Sequence, residues 1–456
     1  MNATATRRLV VEPHGTGVVG HVGLHALGSL ADRLELGSTL SATIAPRGER
    51  PPLHDRGKVL VQTALMLAGG GSSCSDIEHL RVQADLFGSV PSDSTVFRTF
   101  HELGESERSA LAPALRQVRS DVWERLGLTR STEPVILDID ASLIGIHSEN
   151  KEHSAPHFKG GFGFHPMFCF ADATGEALSS MFRPGNAAAN TASDHVALLD
   201  AAIDQLDDEI SVGHRPGDES STATRQVIVR ADSAGNTNGF LTACRERNVR
   251  FFVTARSNAQ ITAAVHDAVG VEDVWLPSVT SDGELRPGAC VTELTSLVDL
   301  SHLPSGTRLI VRREPLHPGA QRSLFPSLEF RYWGFLTDAD GDPVELDLIM
   351  RSHAHVESHI QRLKDSGLTS MPFTSLQANA TWMMVVALAG DLVRWFQLLC
   401  LQGPWREARP KRLRFELFGA PGRLIRSGRR TIIRIIHGWP GTEVLLGAYR
   451  SMARLT

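Results

Sequence analysis

The chain has 456 residues, 42% hydrophobic and 21% charged, with a mean hydropathy of −0.10, which excludes a wholly disordered or fibrous polypeptide and leaves room for two or three domains. Five cysteines (Cys74, Cys169, Cys244, Cys290, Cys400) stand far apart, with an odd count and no Cys-x-x-Cys pair, so a disulfide scaffold and a cysteine-bound zinc are disfavoured and a reducing cytosol is expected. The net charge of −5 hides an asymmetry: residues 404–456 carry 12 Lys+Arg against 3 Asp+Glu, or +9, and the remaining 403 residues carry −14. A basic tail on an acidic body suits a polyanion partner such as nucleic acid, or else a solvated arginine-rich helix.

The opening Met-Asn-Ala-Thr-Ala-Thr-Arg-Arg is not followed by an apolar core, so no export signal is expected. Val19 to Leu34 can hold one short amphipathic helix, and Gly57 to Leu67 a second, ended by Gly69-Gly70-Gly71. Ser75-Asp76-Ile77-Glu78 and Pro91-Ser92-Asp93-Ser94 each supply capping oxygens for a further helix, the latter carrying Arg98 and Phe100. Three short helices in a row resemble a helix-turn-helix, with Arg98 as a candidate DNA contact; a plain helical domain is the alternative. Another helix is expected near Glu107 to Leu126.

The pattern then changes. Pro134 to Asp140, His165 to Ala171 and Ala177 to Arg183 read as strands, the last two joined by the turn Asp172 to Gly175. A helix over Thr191 to Leu206 follows, then a strand at Gln226 to Arg230, a helix to Arg247 and a strand at Phe251 to Ala255. Residues 270 to 336 are rich in Pro, Gly and short β runs, including Arg308 to Arg312 and Glu329 to Leu336. Helices resume near Ala354 and from Ser375 to Leu401. Asp391, Arg394 and Gln397 interrupt the apolar stretch Trp382 to Leu401, so a buried helix is expected rather than a membrane span. Three antiparallel strands followed by alternating helix and strand is the order of an α/β RNase H-like fold, an analogy of fold that does not by itself give a function. The resulting division is an N-terminal helical, DNA-binding region (1–130), an RNase H-like core in two parts (131–257 and 337–403) around a β-rich insertion (258–336), and a basic C-terminal helical tail (404–456).

Three acids stand out by placement. Asp140 ends the first strand, and Asp138, two residues earlier, shares its face because side chains alternate. Asp232 follows the fourth strand directly. Glu357 lies on the expected helix Arg351 to Lys364. At 100° per residue His353, Glu357, Ile360 and Lys364 share one helix face, and His355 and His359 lie nearly opposite Glu357. Carboxylates converging from separate elements suit magnesium, which takes hard oxygen ligands; the alternative is ordinary ion-paired acids. His355 and His359 have the i,i+4 spacing of a zinc pair but lack the HExxH order.

These residues reach a family. Asp-Ala-Ser around Asp140, Arg-Ala-Asp-Ser-Ala-Gly around Asp232, and Glu357 followed by Lys364 resemble the group-1 DDE transposases of bacterial insertion sequences, the thirteen-eighty family. Gly70 to Arg81, Pro91 to Arg98, Gly160 to Pro166 and Pro372 to Ala380 extend the resemblance over roughly residues 55 to 400. It implies a transposase that binds the terminal inverted repeats of its element, cuts the ends by two-metal hydrolysis and joins the 3′-hydroxyls to target DNA. Asp140, Asp232 and Glu357 would then hold two Mg2+ ions, with Mn2+ able to substitute. Asp138, His353 and Lys364 would support them, and Arg98, Lys159, Trp333, Arg362, Lys411, Arg412 and Arg414 would contact DNA. Trp333 would stack on a flipped base, or else be a strand aromatic packed in the fold. The implied partners are double-stranded DNA and a second copy of the chain on paired ends, without a membrane, in the bacterial cytosol. Met350 and His353 depart from the family's Tyr-Arg-Glu-Lys signature. Two other readings are an inactive transposase-derived DNA-binding protein and a metal-independent recombinase using Tyr449.

Overall fold

A computed structural model describes residues 15–44, 53–157, 159–269, 271–316 and 330–455. The first 14 residues of the expected N-terminal region and Glu329, at the start of the expected run to Leu336, lie outside the described residues.

The N-terminal third is helical: α1 (Val22–Arg33), α2 (Leu36–Thr43), α3 (Arg56–Ala68), α4 (Asp93–Glu102) and α5 (Glu105–Arg125). Two of these starts are set by side-chain caps. Asp55 accepts the amide of Lys58, and Ser92 accepts that of Thr95, which satisfies amides that a helix start leaves without partners. The expected helix at Ser75 is a short 3-10 turn, Cys74–Ile77, running into Glu78–Arg81. Asp76 accepts the amides of Ser72 and Ser73 at 2.7 and 3.0 Å.

The central strands are β1 (Val135–Ala141), β2 (Met167–Ala171), β3 (Glu176–Met181), β4 (Val227–Ala231) and β5 (Val249–Thr254). Helix α6 (Ala192–Ile203) lies between β3 and β4, and α7 (Asn238–Glu246) between β4 and β5. Their order is β3-β2-β1-β4-β5, with β2 antiparallel to its neighbours and β1, β4 and β5 parallel. That is an RNase H-like α/β sheet. The β-rich segment supplies β6 (Leu276–Val279), β7 (Leu285–Glu293), β8 (Arg308–Pro315) and β9 (Phe330–Thr337). It extends the same sheet rather than standing apart. Phe335 to Thr337 pair antiparallel with Thr254 to Phe252, giving nine strands among the described residues.

A helix not expected from the sequence, α8 (Pro343–Arg351), runs through a tight turn at Ser352–Ala354 into α9 (His355–Leu363), the helix expected over Arg351 to Lys364; a wider turn, Lys364–Leu368, follows α9. Helix α10 (Leu376–Cys400) is long and apolar enough to cross a bilayer, yet most of it is buried inside the protein. Its buried polar side chains have partners there. Asp391 accepts from Arg119 at 3.0 Å and from the amide of Ala177 at 2.8 Å, and Arg394 donates to the Thr174 carbonyl at 2.7 Å. Each contact spares a buried polar group the cost of lost hydration.

The C-terminal segment differs from the helical tail expected there. It holds a hairpin, β10 (Gly422–Ser427) and β11 (Arg430–Ile435), and one helix, α11 (Thr442–Met452). β10 also pairs with Val18–Val19, and α11 packs on α1 and α10. Alternating Leu424, Ile433 and Ile435 give the hairpin a half-buried face, while Arg423, Arg426, Arg430 and Arg434 stay exposed.

Candidate active site

The register of two parallel strands positions the first two acids. Asp138 on β1 stands opposite Arg230 on β4, and Ile139 opposite Ala231. One residue further, Asp140 and Asp232 come to the carboxyl ends of adjacent strands, where neighbouring strands lie about 4.8 Å apart. Asp140 is half-buried and accepts the amide of Ala141 at 2.7 Å. Asp232 is exposed and caps the turn Ser233–Gly235, accepting the amide of Ala234 at 2.8 Å. Glu357, exposed on α9, joins Asp140 in a cleft of about 520 Å³ with Ser142, Lys159, Lys364 and Arg409.

Charge in the cleft is unbalanced. Burial pushes the Asp140 carboxyl up to about 6, and Asp232 and Glu357 push it the same way. Among the described residues none of the three acids forms an ion pair with Lys or Arg. The half-buried Lys364 ammonium is held below its usual range by burial first and by Lys159, against the pull of Asp140. The donor chemistry suits a hard divalent cation. The geometry is open: among the described residues no three His, Cys, Asp or Glu side chains are gathered closely enough to grip one ion.

One pleat deeper the balance is complete. Asp138 is fully buried and takes two parallel bonds from Arg230, Nε to Oδ1 at 2.7 Å and Nη2 to Oδ2 at 2.6 Å. Such fork-to-fork pairing is strong and directional. His353 donates Nδ1–H to the same Asp138 Oδ1 at 2.7 Å. Arg230 also reaches Asp172 at 3.1 Å and donates to the Ile349 carbonyl at 2.7 Å; His355 in turn meets Asp172 at 3.0 Å. A chain His353–Asp138–Arg230–Asp172–His355 therefore straps the start of α9, and with it Glu357, to the sheet.

Arg230 and Asp172 escaped the sequence reading. For Arg230 a signal existed: one cation in the apolar run Val227 to Ala231, spaced from Asp232 as Asp138 is from Asp140. Asp172 sits in a turn that carries no such mark.

The other expected residues divide. Lys159 and Lys364 line the cleft. Arg362 lies in the adjoining cleft, donating to Gln397 and Glu407. Arg98 is exposed on α4 and bonds back to the Ser94 carbonyl at 3.3 Å. Trp333 is half-buried on β9 with the Arg312 guanidinium 4.8 Å from its ring centre. Lys411 is exposed, 3.5 Å from Asp365, and Arg412 pairs with Glu416 at 3.0 Å over Trp405. Arg414 is turned inward, donating to the carbonyls of Ala68 and Asp365, and burial lowers its pKa. His355 and His359 do not act as a pair, since His355 holds Asp172 while His359 is buried against Phe170 and pushed down to about 4 by that burial. Tyr449 donates to the Val22 carbonyl at 3.2 Å and bonds His25 at 3.0 Å, and burial raises its pKa, so it is not placed as a nucleophile. Met350, one departure from the family signature, is buried with Ile228, Phe252 and Phe335.

The sheet order defines an RNase H-like core, with Asp140 and Asp232 at adjacent strand ends. The family model for the transposase DDE domain, group 1, matches residues 1–456, and the chain belongs to that family, whose members are transposases acting in DNA transposition and recombination and using divalent metal ions. Among solved structures, a cryo-EM piggyBac transposase synaptic complex with hairpin DNA is similar at 11% identity and a TM-score of 0.44, over 87% of this chain and 79% of that one. No curated protein matches.

Proposed function

We propose that the protein binds the terminal inverted repeats of an insertion sequence, cleaves the DNA ends and joins their 3′-hydroxyls to target DNA as a dimer on paired ends. Asp140, Asp232 and Glu357 would hold two Mg2+ ions, which Mn2+ can replace. Ions so held supply an activated water or hydroxyl and stabilisation of the leaving oxygen. The three acids do not form a closed set, so ion binding would draw them together. Lys364 and Lys159 give the cleft positive charge for a phosphate. His353, through Asp138, fixes where Glu357 stands.

One observation carries the reading: the β1–β4 register brings Asp140 and Asp232 to adjacent strand ends beside Glu357, with no Lys or Arg ion pair to any of the three among the described residues. The test is cleavage of a duplex containing the sequences that flank this gene, with and without Mg2+. The expected result is cutting that requires the metal and is lost in Asp140→Asn, Asp232→Asn and Glu357→Gln. Cutting that persists in excess EDTA, or in any of these variants, overturns the assignment concerned.

A further inference from the structure

Beside the Asp140 cleft, on the other side of α9, lies a second cleft of about 460 Å³. Ser358, Gln361 and Arg409 line both, so the two meet over one ridge of the helix. In the second cleft Arg362 and Arg394 hold a single carboxylate, Glu407. Arg362 Nη2 is 3.1 Å from Oε2 and Arg394 Nη2 is 3.2 Å from Oε1. The two arginine side chains are 12% and 5% exposed, whereas that of Glu407 is 70% exposed. The remaining N–H groups of both arginines hold Gln397 and the carbonyls of Thr174, Arg406, Glu407 and Ala408, so one Nη2 of each meets in the second cleft, and a solvated side chain occupies the place where they converge.

Positive charge is in surplus there. Arg409 adds a third guanidinium, exposed and without an ion pair or side-chain hydrogen bond among the described residues. The nearby acids are otherwise engaged, Asp172 by Arg230 and His355 and Asp365 by Lys411. Burial lowers Arg362 to about 10, and Arg394 and Arg409 add to the effect. Guanidinium forks that fit carboxylate oxygens also fit phosphate oxygens.

We propose that this second cleft binds a DNA backbone phosphate close to the one being cut, through Arg362, Arg394 and Arg409, and that Glu407 holds the phosphate's place until DNA enters. The strand then runs from the Asp140 cleft over Ser358 and Gln361 and displaces Glu407 into water, where it is already mostly solvated. The inference rests on the transposase reading of the Asp140 cleft. It adds a binding site and an internal competitor for it.

The test measures binding of the full chain to a fluorescein-labelled random-sequence duplex across a salt series. Glu407→Gln should bind about three- to tenfold tighter, because a competing anion is gone. Arg409→Ala, a change at an exposed position, should bind about fivefold more weakly and flatten the slope of log K against log salt by about 1. Unchanged or weaker binding by Glu407→Gln overturns the proposal, and so does an unchanged slope in Arg409→Ala, which decides the matter alone if Glu407→Gln fails to fold. Mg2+-dependent cleavage of the gene's flanking sequences by the unaltered chain is scored alongside. A chain that never cuts sinks the active-site reading. A chain that cuts, with both variants binding as it does, sinks only the second phosphate site.

Discussion

Asp138 and Arg230 face each other across β1 and β4, and Asp140 and Asp232 stand one pleat further along the same strands. At the inner level every charge has a partner of opposite sign within hydrogen-bond distance, and both side chains are fully buried. At the outer level two acids adjoin, a third faces them from α9, and burial together with these neighbours disfavours the ionised form of Asp140. A buried charge that is matched holds elements together. A charge left unmatched at a strand end marks where a ligand of opposite sign belongs. Two acids two residues apart, alike in type and facing the same side, thus have opposite electrostatic surroundings.

The comparison breaks if the two levels respond alike to substitution. The largest expected effect is on cleavage: Asp140→Asn and Asp232→Asn should each slow metal-dependent cutting by about 10³-fold or more, as loss of an ion's charge stabilisation implies. Their denaturation midpoints should stay level or rise, since a repelling charge is removed. A large fall in midpoint would make Asp140 structural.

At the inner level the order reverses. Arg230→Met leaves Asp138 buried without its main partner and should cost about 3–5 kcal/mol in denaturant unfolding, with much of that recovered in Arg230→Met combined with Asp138→Leu. A cost within experimental error would show that the pair does not hold the two strands together.

The link between levels is His353. His353→Ala should reduce cleavage about 10- to 100-fold and raise the Mg2+ concentration needed, as loss of a group that orients a metal ligand does, while duplex affinity is unchanged. A drop in duplex affinity with the Mg2+ requirement unaltered would place His353 on the DNA instead. The smallest effect is expected at Tyr449. Tyr449→Phe should leave cleavage intact and cost about 1 kcal/mol of stability, the worth of one hydrogen bond. Loss of cutting there would revive a phosphotyrosine mechanism.

Much of the fold was legible in the residues. The β-branched run before Asp140, the turn at Asp172 to Gly175 and the cap at Ser92 are local signals, and each element formed close to its expected place. The helix α8 and the turn that joins it to the Glu357 helix were not legible. His353 and His355 are drawn to Asp138 and Asp172, more than 180 residues away, and Ser352–Ala354 tightens into a separate turn between the helices. The C-terminal arginines misled in a similar way. A high charge count suggested a solvated helix, but Gly422 to Ser427 and Arg430 to Ile435 pair as a hairpin, and pairing with Val18–Val19 completes a small sheet. Arg414 shared the same charge signal as Lys411, although its partners turn it inward.

By itself the amino-acid sequence determined where strands and helices begin and which acids fall at strand ends, because backbone preference, side-chain alternation and capping act over a few residues. It also carried enough motif to place the chain in its family. Tertiary structure alone decided that Arg230 neutralises Asp138, that the inserted strands continue the central sheet through Phe335 and Thr254, and that Glu407 sits between Arg362 and Arg394. Those outcomes depend on register and packing between segments distant in the chain. A charge acquires a role there only when folding sets what stands beside it.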